Sequence, residues 1–183
     1  MKKWYLWAIA LTMIISSAEA QSSLHLSKQE FKDQFLSSIN SVRAKGCNCG
    51  TTYMRPAAPI TWSDVLASAA SEHAMDMYKN DYFDHTSIDG RSLQDRLFSA
   101  GYTYNGFQSY TIGENIAAGQ HSIAEVTAGW FKSVGHCKNL MNPDFKEIGI
   151  FEYHYYWVED FGGRIPLEKG KRYSGRWVVK QAD

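Results

Sequence analysis

The stretch from Glu147 to Phe161 constrains the fold more than any other part of this chain. It is dense in Ile, Phe, Tyr, Trp and Val, the residues that suit a pleated, packed surface. It reads as two strands, Glu147 to Tyr153 and Tyr155 to Phe161, with His154 at the turn of an antiparallel hairpin. Strands this apolar need covering, and the covering elements lie upstream. Phe31, Phe35, Ile39 and Val42 recur at helical spacing, which predicts a helix from Glu30 to Ala44 stopped by Gly46. Leu66, Ala70, His73 and Met77 predict a second helix from Asp64 to Asn80, capped by Ser63 or Asp64. Ser92 with Asp95 and Ser122 with Glu125 have capping-box spacing. They open a short helix before Gly101 and a longer one reaching about Ser133. Residues 50–59 read as a loop, Gly113 to Ala117 as a short strand, and Asn142-Pro143 as a turn. Helices come first and strands last, so the class is α+β and not alternating βαβ.

The N-terminus reads as an export signal. Lys2 and Lys3 precede an apolar run from Trp4 to Ile15, and Ala18-Glu19-Ala20 is a small-x-small cleavage pattern. The run is shorter than the about 20 residues that span a bilayer, so no membrane span is expected after cleavage. Gln21 follows the cut, so no lipid-anchoring cysteine stands there. The expected division is a signal peptide over 1–20, a polar lead-in over 21–30, the domain over 31–162 and a basic extension over 163–183. Cleavage leaves 163 residues with 17 basic and 18 acidic side chains. That balance gives no electrostatic case for binding nucleic acid. The extension holds Arg164, Lys169, Lys171, Arg172, Arg176 and Lys180 around Trp177-Val178-Val179, and is expected to add one edge strand or to make a weak contact with an anionic surface.

An exported chain keeps disulfides. Its three cysteines, Cys47, Cys49 and Cys137, allow one bridge and leave one thiol. The expected bridge joins Cys47 or Cys49 to Cys137 and is worth roughly 3–5 kcal/mol in the chain-entropy model. No second cysteine pair completes a structural zinc site.

The chain has no HExxH, GxSxG, phosphate-binding glycine loop or dinucleotide fingerprint. What remains is dispersed: Asp84-His85-Thr86, Gly113-Glu114-Asn115 and Gly135-His136-Cys137, each at an element end or beside a glycine. Two imidazoles and a carboxylate can hold a divalent metal or work as an acid–base pair. His73, on an apolar helix face, is expected to be a hydrogen-bonded core residue.

The ordered set of motifs resembles the CAP superfamily (SCP/TAPS, allergen V5/Tpx-1-related) in its bacterial secreted form. The resemblance is carried by Ile60-Thr61-Trp62, Tyr82-Phe83-Asp84-His85-Thr86, Gly101-Tyr102 and Gly113-Glu114-Asn115-Ile116-Ala117. It continues through Gly129-Trp130, Gly135-His136-Cys137-Lys138-Asn139-Leu140-Met141-Asn142-Pro143, Glu147-Ile148-Gly149 and Tyr156 to Gly162. It implies a three-layer α-β-α sandwich with a central, mainly antiparallel sheet and a cleft lined by two histidines and two acids. His85 and His136 match the histidines and Glu114 one acid. The position of the second acid is Ser133. Asn115 and Ser133 are candidates for the surrounding shell. The implied cofactor is a divalent metal, zinc first. The implied role is a non-enzymatic secreted or periplasmic binding module for a small hydrophobic ligand (a sterol or fatty acid) or an extracellular protein. A metal-assisted hydrolase or peptidase using His85, Glu114 and His136 is the alternative.

Overall fold

The computed structural model describes residues 26–103, 106–166 and 176–179. The expected signal peptide lies outside them. Element α1 (Lys28–Arg43) starts two residues before its predicted bound, inside the expected lead-in. The reason is local: Ser27 accepts from the Glu30 amide and the Glu30 side chain answers the Ser27 amide, a capping box the apolar spacing did not reveal. A small hairpin follows, β1 (Cys47–Cys49) with β2 (Thr52–Met54), inside the stretch expected to be a loop. Then come β3 (Thr61–Trp62), α2 (Asp64–Lys79) and α3 (Leu93–Ser99), the last opened by the expected Ser92–Asp95 box. Strand β4 runs over Phe107–Ala118, far longer than the five residues expected.

The fourth helix ends near Ser133, as expected. Ser133, with ψ 129°, ends α4 (Ile123–Lys132) and starts α5 (Val134–Leu140), a helix the sequence pattern did not show. Strands β5 (Glu147–Tyr153) and β6 (Tyr156–Pro166) form the expected hairpin. Its turn takes both His154 and Tyr155, at φ 48° and 66°. A two-residue turn with both central φ positive matches the twist of paired strands, so β6 starts one residue late. The last strand, β7 (Arg176–Val179), lies in the basic extension and pairs in parallel with β4 at the sheet edge.

The main sheet has the order β3-β5-β6-β4-β7. Its central pairs are antiparallel, and β3 and β7 join the flanks in parallel. Alternation along the strands splits the core in two. On one face Phe35, Ile39, Val126, Trp130 and Leu140 from α1, α4 and α5 pack on Ile148, Ile150, Trp157 and Phe161. On the other, α2 and α3 cover Ile112, Ile116 and Val158. The chain is a three-layer α-β-α sandwich of the α+β class.

Arg43 ties the first face together. Its guanidinium is fully buried and donates to the carbonyls of Ala58, Leu140, Asn142 and Phe145, at 2.9, 2.6, 3.2 and 3.3 Å. The helical pattern of α1 had assigned the inward position to Val42, which instead packs around the cysteines.

Helix α2 sits directly on β5 at Gly149. A β-carbon there would run into the Ala67 amide and the Leu66 carbonyl carbon, which are backbone and cannot rotate away. Gly149→Ala is expected to destabilise the fold by about 1–3 kcal/mol, measured by urea unfolding. A midpoint equal to wild type would show that α2 can lift off the sheet without loss.

Candidate functional site

The site is built on the β4–β6 pair. Its register places Glu114 opposite Asp160 and Asn115 opposite Glu159. Since neighbours on a strand point to opposite faces, Glu114 and Asp160 look toward α2 and α3, and Asn115 and Glu159 toward α5. All four are buried.

On the first side, Glu114 is fully buried and both its oxygens are engaged. Oε1 lies 2.7 Å from His85 Nδ1, and Oε2 accepts from Arg96 Nη2 at 2.6 Å. Arg96, itself 1% exposed, also donates to the His85 carbonyl at 2.8 Å, so one guanidinium holds both the acid and the loop bearing the histidine. His73, on α2, is fully buried with its Nε2 3.0 Å from the Asp84 carbonyl. It is the hydrogen-bonded core histidine expected, and it anchors the residue before His85. Burial pushes its pKa down, so the ring stays neutral. Burial also works to raise the Glu114 pKa. The His85 hydrogen bond and then the charge of Arg96 outweigh it and hold this carboxyl below its ordinary value.

A hydrogen bond donated from His85 Nδ1 to the Glu114 carboxylate leaves Nε2 as the ring nitrogen able to accept. A carboxylate fixing the tautomer and orientation of an imidazole in this way is the usual support of a metal-binding or proton-accepting histidine.

On the second side, a chain of amides binds α5 to the sheet. Asn139 Nδ2 donates to Asn115 Oδ1 at 3.0 Å and to the Glu114 carbonyl at 3.2 Å. Asn115 Nδ2 donates to Glu159 Oε2 at 2.8 Å and to the His136 carbonyl at 3.4 Å. His136, half-buried, is thereby set beside β4. Burial, and then the nearby positive charge available to His85, lower its pKa. The two imidazoles therefore feel each other, and His136 resists protonation.

The two acids of β6 are the other notable groups. Burial pushes Glu159 up to about 8, against the hydrogen bond from Asn115. Burial and then the negative Glu114 opposite raise the Asp160 pKa well above its ordinary value. Glu159 therefore keeps its proton through neutral pH, and Glu114 is the ionised carboxylate of the cluster.

The structure thus joins His85 to Glu114 directly and ties the His136 carbonyl to Asn115, the next residue on the same strand. Among the described residues, the one group of three or more His, Cys, Asp or Glu donors within 4.8 Å of each other is the cysteine trio, so these three do not form such a cluster. Asn115 is the bridge between β4, β6 and α5. Ser133 makes no side-chain cap bond and serves as the break between α4 and α5. The bridge is Cys49–Cys137, and Cys47 is the remaining thiol. Sequence reasoning missed Arg96, Asn139, Glu159 and Asp160. Two adjacent acids inside the apolar run of β6 were the available sign, since a strand buried on both faces has no place for them without partners.

A sequence profile of the CAP family, the cysteine-rich secretory protein family, matches residues 36–160. The chain belongs to this family. The Bacillus subtilis protein YkwD is 37% identical over 108 residues, which are 58% of this chain and 40% of YkwD. The chain thus spans about two fifths of that curated relative's length. An extracellular SCP-domain protein from Bacillus anthracis str. Ames superposes with a TM-score of 0.56 at 28% identity, covering 74% of this chain and 43% of that one. An outer surface protein from Borrelia burgdorferi shares the fold, with a TM-score of 0.59 at 24% identity over 75% of this chain and 94% of its own.

A groove of this CAP domain lies elsewhere. With a volume of about 640 Å³, it runs between α1, α2 and β5, with Leu26, Phe31, Trp62, Ile150 and Phe151 on its apolar wall and Lys28 and Lys32 at its rim. None of His85, Glu114 and His136 lines it. No helix among the described residues is long and apolar enough to cross a membrane.

Proposed function

We propose that this CAP domain is an exported, non-enzymatic binding module whose cleft uses His85 and His136 to take a divalent metal, zinc first. The observation that carries the reading is the full commitment of Glu114. Its carboxylate has no exposed surface, and one oxygen goes to Arg96 and the other to His85. A carboxylate so placed orients an imidazole; it does not meet water in a cleft. The donor set fits a metal held by two histidines, with Glu114 as the support of His85 and not as a ligand. Zinc completes its shell with water or with groups from a bound partner. The 640 Å³ groove has the size of a small-ligand site, which supports a hydrophobic ligand such as a sterol or fatty acid as the second cargo.

A metal-assisted hydrolase or peptidase is the second reading. The His85–Glu114 contact of 2.7 Å favours it, being the carboxylate–imidazole pair of a general base. Calorimetry separates the readings. The wild-type protein is expected to bind one zinc ion, and His85→Ala/His136→Ala to bind it at least about 100-fold more weakly. Equal binding by both sinks the metal site. Turnover of a peptide or cell-wall substrate, abolished in the double variant with the fold intact, favours the hydrolase.

A further inference from the structure

A second donor cluster lies where the β1–β2 hairpin packs on α5. Cys47 and Cys49 are two apart on β1 and so share a face, and Met54 is the cross-strand partner of Cys47. Cys137 and Met141 stand one turn apart at the end of α5. These five sulfur residues form one packed group: Cys49, Cys137 and Met141 buried, Cys47 and Met54 beside them. The Cys47 thiol lies 3.8 Å from Cys137 Sγ, and all three Sγ atoms lie within 4.8 Å of one another.

The arrangement is a triangle. In-line attack of Cys47 on Cys137 would place the Cys47 and Cys49 sulfurs roughly 5.8 Å apart, given a bond of about 2 Å between the other two. They are closer than that. Three sulfurs around one ion at about 2.3 Å each stand roughly 4 Å apart, which is near the Cys47–Cys137 spacing. The Cys49 and Cys137 Cα atoms, 5.5 Å apart, allow their sulfurs to open to that distance by side-chain rotation.

We propose that, once the Cys49–Cys137 bond is reduced, Cys47, Cys49 and Cys137 form a tridentate thiolate site for copper(I). A dithiol supplies the reduction: it gives two electrons and two protons to the bridge and leaves as its own disulfide. One copper(I) ion then forms three S–Cu bonds, and the three thiol protons pass to solvent. The metal class follows from the donors. All three are thiols, thioethers border them, and soft sulfur sets favour copper(I). A structural zinc site takes four protein ligands, and this group has neither histidine nor carboxylate to serve as the fourth. The oxidised protein offers Cys47 alone, so the disulfide gates the site.

The test uses the purified protein under anaerobic conditions, reduced with dithiothreitol, desalted and titrated with copper(I) against a chromophoric copper(I) chelator. The reduced wild type is expected to withdraw one equivalent and to show thiolate-to-copper charge transfer in the ultraviolet. The oxidised protein is expected to compete at least about 100-fold less well, and reduced Cys47→Ser at least about 10-fold less well. Cys47→Ser leaves the bridge intact, so its fold is checked first in the oxidised form. Failure of the reduced wild type to bind one equivalent, or equal binding by Cys47→Ser, overturns the proposal. So does a reduced chain that loses its fold by circular dichroism and does not regain it with one equivalent of copper(I). Cys47→Ser alters no histidine, so its comparison with wild type reads the sulfur site and not the histidine cleft.

Discussion

Glu114→Gln is expected to destabilise the domain by about 3–5 kcal/mol at neutral pH and to weaken zinc binding by about 10–100-fold. The substitution changes shape little but removes the charge that faces Arg96. That guanidinium is 1% exposed, and its other contacts are carbonyls and the Ser87 hydroxyl, which are neutral. A buried cation left without its counter-ion costs far more than the pair contributed when intact. The amide group adds a conflict, since it can present one acceptor where both Arg96 and His85 need one. The pH dependence has a definite sign. A carboxyl whose folded pKa is depressed contributes stability above its unfolded value of about 4.5 and loses it as pH falls through the folded value. The gap between wild type and Glu114→Gln is therefore largest above pH 5 and closes in acid. Urea unfolding at pH 7 and pH 3, with zinc calorimetry at pH 7, reads all of this. A loss below about 1 kcal/mol at pH 7 would show that Arg96 finds water or another anion.

Glu159→Gln is expected to do the reverse, stabilising the domain at pH 9 by on the order of 4 kcal/mol. In the unfolded chain this carboxyl ionises near 4.5, and in the fold burial holds its proton up to about 8. Between those values the folded state binds the extra proton, so stability falls as pH rises, by about 1.36 kcal/mol per unit at most. The contribution is intact below about 4.5 and is lost as pH rises through about 8. Gln keeps the acceptor for Asn115 Nδ2 and has no proton to lose. Wild type and variant should match at pH 4 and separate steadily above it. Asp160 pulls in the same direction, so a reduced slope remains in the variant. Parallel stability curves from pH 4 to 9 would mean that Glu159 ionises inside the fold with a partner.

The two substitutions mark the border between what residue patterns show and what they hide. The amphipathic spacing of α2, the capping box of α3 and the apolar run of β5 and β6 were legible because each is a local property of consecutive residues. So was the hydrogen-bonded core place of His73, which follows from its position on an apolar helix face, though not the loop residue it holds. The α1 start at Ser27 was equally local and was missed by following apolar spacing alone. The helix end near Ser133 was read, but α5 beyond it was not. One extended residue between two helices leaves no mark in composition, yet it turns α5 so that Cys137 reaches Cys49 and His136 reaches the sheet.

Site chemistry divided the same way. His85, Glu114 and His136 stood out as polar residues at element ends, and the family resemblance gave them a common cleft. The α+β class, the family and the histidines and acid of interest were all readable from residue order, because periodicity, caps and ordered motifs are written along the chain. Their roles came from the folded arrangement. It set Arg96 and His85 on the two oxygens of Glu114, buried two further acids in β6, and chose Cys49 over Cys47 for the bridge. Those outcomes depend on register and burial. A shift of one residue between β4 and β6 would send Glu114 to the opposite face of the sheet, and no pattern along the chain records which face a carboxylate will meet.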